Sequence, residues 1–126
     1  MAALVFDAGA LIAIERGDRT IATLLAAAAR SGTEVVTSST CVAQAWRNPA
    51  RQARLARALA GFLERDLDGR RARDCGMLLA RSETRDIADA AVSLLVDNGD
   101  TIITSDPQDI ERLLDAAGTR ARIRAV

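Results

Sequence analysis

The chain has 126 residues, 49% of them apolar, enough for one buried core without disulfides or structural metal, which excludes a disordered chain. Its 17 basic and 17 acidic residues cancel, so bulk charge points to no partner and any nucleic-acid surface must come from local clustering. Every cation is arginine, and the absence of lysine and histidine excludes Schiff-base, P-loop-lysine and histidine acid–base chemistry; carboxylates, hydroxyls, arginine, cysteine or a bound cation remain.

Ala3-Leu4-Val5-Phe6 is a short apolar run that stops abruptly at Asp7, the pattern of a buried strand. Ala10 to Arg16 reads as a short helix ended by Gly17. A second helix is expected from about Asp18 to Arg30, with Ile21, Leu24, Leu25 and Ala28 at helical spacing and Gly32 as its stop. Glu34 to Thr37 is a strand candidate. Ser38 and Ser39 then cap a helix carrying Val42, Gln44, Trp46 and Arg47. Pro49 opens the next helix, which carries Arg51, Leu55, Leu59 and Phe62.

The stretch Phe62 to Leu67 is ambiguous and leaves room for a short strand. Arg70 to Arg81 reads as a helix with Cys75, Leu78 and Leu79 inward. Asp86 to Val96 reads as another, with Ile87, Ala91, Leu94 and Leu95 on one face. Thr101 to Thr104 is a clear strand; Ser105-Asp106-Pro107 opens a last helix through Leu114, and Ala121 to Val126 suits an edge strand. Strands separated by helices describe one α/β domain, residues 1–126, with a mostly parallel sheet. Cys41 and Cys75 lie in apolar stretches and read as buried thiols. No signal peptide and no apolar run of membrane-spanning length is visible, so a cytoplasmic protein without a membrane partner is expected.

Ligands of open parallel sheets bind beyond the carboxyl ends of the strands. Two strands here end in aspartate, at Asp7 and at Asp106, and Asp89 lies in the first turn of the helix opened by Asp86. Carboxylates gathered in this way repel one another unless a cation neutralises them, and an oxygen-only site suits Mg²⁺ or Mn²⁺. Each residue also has a plainer reading: Asp7 and Asp106 as helix caps, Asp89 as an acid favoured by the helix dipole.

Taken together, Val5-Phe6-Asp7-Ala8-Gly9-Ala10-Leu11-Ile12, Asp89-Ala90-Ala91-Val92 and Ile102-Ile103-Thr104-Ser105-Asp106-Pro107-Gln108-Asp109-Ile110 resemble the PIN-domain family, specifically the VapC toxins of bacterial toxin–antitoxin pairs. The resemblance spans essentially the whole chain. It implies a three-layer α/β/α fold with a central sheet of four or five strands. It also implies a Mg²⁺- or Mn²⁺-dependent endoribonuclease that acts on RNA, pairs with a cognate antitoxin and forms a homodimer. Asp7, Asp89 and Asp106 would then be metal ligands, directly or through water, with Asp109 holding a water or a ligand behind them.

The sequence departs from the family where a glutamate usually follows the second strand: Gln44 stands there, donating a carbonyl oxygen but no charge. Glu15 is a conceivable substitute but sits along the first helix, where an ion pair with Arg16 or Arg19 is the expected role. The departure keeps open a non-catalytic PIN-like binding module with a weakened acidic site. A receiver-like signalling domain also gathers aspartates at strand ends, but it needs a lysine that this chain lacks.

Arg47, Arg51 and Arg54 recur at helical spacing and form a candidate RNA-phosphate grip or a solvated face. Trp46 is a base-stacking candidate or a core residue. The apolar early helices, with Leu11, Ile12, Ile14, Leu24 and Leu25, offer either core or a groove for an antitoxin segment.

Overall fold

The computed structural model describes residues 2–126. Strand β1 (Leu4–Phe6) leads into α1 (Ala8–Glu15) and α2 (Arg19–Ser31), then β2 (Val35–Ser38), α3 (Ser39–Ala45), a 3-10 turn (Pro49–Arg51), α4 (Ala53–Leu59) and β3 (Leu63–Arg65). The second half runs α5 (Gly69–Ser82), α6 (Ile87–Ser93), β4 (Thr101–Thr104), α7 (Pro107–Ala117) and β5 (Arg122–Ala125). The five strands form one sheet in the order β3-β2-β1-β4-β5, and every pairing is parallel.

The chain builds outward from β1 in one direction, through β2 to β3, then returns to build β4 and β5 on the other side. Right-handed crossovers therefore place α1–α4 on one face and α5–α7 on the other. The packing agrees, with α1 against α2, α3 and α4, and α5, α6 and α7 against one another. The central strands are covered on both faces, so they are apolar without alternation: Val5, Phe6, Ile102 and Ile103 are all fully buried. Phe6 meets Phe62 edge-on, with ring centroids 5.3 Å apart. The strand order reverses between β1 and β4, and that crevice is where such sheets bind ligands.

The mostly parallel sheet expected from the sequence is thus wholly parallel, and the ambiguous stretch after Phe62 contains β3. Three expectations are corrected. Trp46 and Arg47 lie beyond α3, because the Gln52 side chain closes that helix: its Nε2 donates to the Ala45 carbonyl, 2.8 Å, and its Oε1 accepts from the amides of Arg47 and Asn48 at 2.7 and 3.0 Å. Pro49 opens only a single 3-10 turn, and Gln52 interrupts the path to α4 with non-helical dihedrals (φ −123°, ψ 43°). Finally, α6 stops at Ser93, and Ile87 and Leu94 of its expected inward face are 56% and 37% exposed. Ala91 is buried as expected, and the small residues Ala88, Ala90 and Ser93 are buried in place of Ile87 and Leu94, because β2, α3, α5 and α7 enclose this helix closely. No described helix is long and apolar enough to cross a membrane.

Candidate metal centre

Asp7 follows β1 and caps α1, its Oδ1 accepting from the Ala10 amide at 2.8 Å. Its Oδ2 accepts from the Thr104 hydroxyl at 2.5 Å and from the Ser105 amide at 3.1 Å. The Thr104 hydroxyl in turn accepts from the Asp106 amide at 2.8 Å, so its donor and acceptor directions are both fixed. A buried carboxylate therefore ties the ends of β1 and β4 together across the crevice and sets where Asp106 emerges. Burial raises the Asp7 carboxyl above its usual range, opposed by those three hydrogen bonds and reinforced by the charge of Asp106.

Close packing is part of the same construction. A Cβ on Gly9 would fall 1.9 Å from the Ser105 Oγ and 2.3 Å from its Cβ, so only glycine lets the first turn of α1 lie against the β4 end.

Asp106 occupies the cap position of α7 without a well-formed side-chain capping bond, although the Asp109 amide lies near enough to its carboxylate to oppose the rise in its pKa. Its carboxylate, with those of Asp89 and Asp109, offers three oxygens within 4.8 Å of one another. Asp109 reaches the group because it sits one helical turn after Asp106. Asp89 is held at the start of α6, where the Asp86 side chain accepts from its amide at 2.9 Å. The Asp89 carboxyl is pushed up to about 7, first by burial and then by the charges of Asp86, Asp7, Asp106 and Asp109. Asp106 is raised as well, by partial desolvation and then by Asp109.

The sequence-derived set is therefore reorganised. Asp89 and Asp106 converge as expected, and Asp109 joins them directly. Asp7 lies within electrostatic range of both but is turned to main-chain and hydroxyl donors. Gln44 is exposed on α3. Glu15 is not part of the cluster: its Oε2 accepts from the Leu55 amide at 3.0 Å, capping α4 from forty residues away. Arg47, Arg51 and Arg54 lie on three different segments rather than one helical stripe. Arg47 folds back on the carbonyls of Ala43 and Trp46 at 2.8 and 2.7 Å, and Arg54 reaches the Glu15 carbonyl at 3.3 Å. Trp46 is half-buried against the core.

Near the site, Thr104 escaped sequence reasoning, and Cys41 is the buried thiol expected of it. Thr104 is recognisable only once its hydroxyl is seen between Asp7 and Asp106. Cys41 is fully buried, its Sγ 3.7 Å from the Ala88 carbonyl, and its thiol is pushed up to about 12 by burial and by the charges of Asp7 and Asp89. It is a neutral, apolar wall of the site rather than a nucleophile.

The donor set fits a hard divalent cation. An octahedral ion with bonds of about 2.1 Å separates its ligand oxygens by roughly 3.0–4.2 Å, so small side-chain rotations close the gap. Three carboxylates provide the neutralising charge, and no soft sulfur or imidazole donor competes. No family model matches the sequence, and no curated protein matches it.

Proposed function

We propose that this protein is a Mg²⁺- or Mn²⁺-dependent endoribonuclease of the PIN-domain type, acting as the toxin of a toxin–antitoxin pair. The observation that carries the reading is the convergence of Asp89, Asp106 and Asp109 beyond the carboxyl ends of a parallel sheet, at the crevice where strand order reverses. The motif order around Asp7, Asp89 and Asp106 supports it.

In this reading Asp89, Asp106 and Asp109 hold the cation, which when bound supplies charge to offset a phosphate in the transition state and lowers the pKa of a water. Asp7 acts chiefly as a positioning residue: it fixes Thr104 and Ser105, and through them Asp106. Asp89, whose carboxyl is raised to about 7 in the metal-free protein, would give up a proton on holding the cation. Metal binding should therefore release protons and strengthen as pH rises.

The antitoxin would lie in a cleft of about 370 Å³ between α1, α2 and α4, lined by Ile14, Ile21, Leu25 and Ala58 and rimmed by Arg54 and Arg57. An amphipathic segment fits such a groove. A homodimer belongs to the same proposal.

The test is cleavage of structured RNA by the purified, antitoxin-free chain, with Mg²⁺ or Mn²⁺ and with EDTA. Metal-dependent cleavage that vanishes in Asp89→Asn and Asp106→Asn, with circular dichroism unchanged, supports the reading. Cleavage that survives both substitutions removes the site. A folded, metal-binding chain that cuts no RNA would favour the binding-module alternative that the Gln44 departure keeps open.

A further inference from the structure

A second cavity opens along the same edge of the sheet. The register sets Phe6 beside Thr37 and Ser38 beside Arg65, so Asp7, Ser38 and Arg65 stand level on three adjacent strands. At the usual strand spacing the Arg65 backbone is about 10 Å from that of Asp7. Between the ends of β2 and β3 and the helices α5 and α6 lies a cleft of about 160 Å³, room for one flat ring system. Leu67, Ala91 and Leu95 give it an apolar wall, and Arg65, Arg71, Asp66 and Asp74 give it charge of both signs. The helix that contributes Asp89 to the metal centre thus also contributes Ala91 here, with Leu95 following just past its end.

The mixture of signs decides what the cleft takes. A phosphate subsite would be cationic throughout, and two carboxylates beside the arginines oppose an anion. A nucleobase edge wants both. Guanine alone presents two adjacent acceptors, O6 and N7, matching an arginine fork, and two adjacent donors, N1–H and N2–H, matching a carboxylate. One of the charged groups, Arg71, is also held in place. Arg71 and Asp74 lie one turn apart on the same face of α5, and the Arg71 Nη1 is anchored to the Asp66 carbonyl at 3.1 Å, leaving its other donors free for a ligand.

We propose that this cleft reads one unstacked guanine of the RNA strand whose phosphate is held at the acidic cluster on the same edge of the sheet. The identity of the strand rests on the nuclease reading; the base preference rests on the cleft. Recognition of splayed single-strand bases on their edges, with an apolar wall beside the ring, is the usual mode for RNA.

The experiment has two arms. In the first, a random-sequence RNA pool is cleaved with Mn²⁺ and the new ends are sequenced. Guanine enriched at one fixed offset from the cut is expected, with kcat/KM falling roughly 10-fold or more when inosine or 7-deazaguanosine replaces it. Asp74→Asn should erase the discrimination against inosine and Arg71→Gln that against 7-deazaguanosine, with kcat on RNA lacking guanine at that offset unchanged. Cleavage with no base preference, or a preference unmoved by these substitutions, overturns the inference while leaving the nuclease intact. So does an equal loss on all sequences, which would mark a phosphate contact.

In the second arm, binding of 2′-O-methyl oligonucleotides is measured by fluorescence anisotropy in EDTA. Guanine-selective binding lost in the same variants upholds the cleft even where no cleavage occurs, and then it is the nuclease reading that fails. Binding without selectivity in this arm counts against the cleft.

Discussion

Replacing Asp89 by asparagine should stabilise the metal-free protein, by an amount that grows with pH. The folded-state pKa of about 7 lies well above the ordinary value of 3.8. A raised carboxyl pKa means the folded chain binds more protons than the unfolded one, so this group's contribution is most favourable below about pH 4 and is lost as pH rises towards 7. Three pKa units correspond to about 4 kcal/mol at the outside, and screening at a partly exposed group reduces this to roughly 2 kcal/mol. For a domain of this size that is on the order of 6–10 °C in Tm. Asparagine keeps the shape and removes the charge. Calorimetry of both proteins in EDTA should therefore show their Tm difference rising from near zero at pH 4 to roughly 6–10 °C at pH 8 in favour of the variant. Adding Mn²⁺ at 100 times its Kd should recover about 2.7 kcal/mol in the wild type and little in the variant. A variant that melts below the wild type at pH 8, or a difference that does not change with pH, would refute the reasoning.

Gly9→Ala should cost about 1–3 kcal/mol in urea unfolding and depress metal affinity, because Ser105 and its neighbour Asp106 must move; Gly9→Ala combined with Ser105→Gly should regain most of the stability. Glu15→Ala should cost about 0.5–2 kcal/mol through loss of the Leu55 cap, and Glu15→Gln, which retains an acceptor, should cost much less; equal losses would contradict the capping role. Asp100 is buried at the opposite edge of the sheet, accepting from the amides of Ala3 and Asp97, each at 2.8 Å. Its replacement by alanine should cost about 1–3 kcal/mol while leaving metal binding untouched, as measured by titration calorimetry.

Much of the fold was legible because the central strands are covered on both faces. Leu4–Phe6 and Ile102–Ile103 must be continuously apolar, and their abrupt ends at Asp7 and Ser105-Asp106 mark the carboxyl edge. What escaped depends on contacts that periodicity does not encode. Gln52 ends α3 by reaching back seven residues, so the helix expected to carry Trp46 and Arg47 stops at Ala45, the helix expected from Pro49 becomes a 3-10 turn followed by α4, and the arginine stripe dissolves with it. Glu15 reads locally as a partner for Arg16 or Arg19, yet it binds an amide forty residues on. Of the expected inward face, Ala91 and Leu95 do pack inward, but Ile87 and Leu94 do not, because crowding on several sides favours the smaller Ala88, Ala90 and Ser93. At the site, capping and function were set against each other for Asp7, whereas the folded chain gives it a capping bond and a place in the carboxylate field together. Asp109 is a second-rank candidate in sequence but an equal member in space, because α7 brings it round beside Asp106.

The most direct test of the account is a crystal soaked in Mn²⁺ and measured at the manganese absorption edge. An anomalous peak bounded by the carboxylates of Asp89, Asp106 and Asp109, absent from Asp89→Asn crystals, is the expected result. A fully soaked crystal with no peak among those three residues, or with manganese bound only elsewhere, would contradict it.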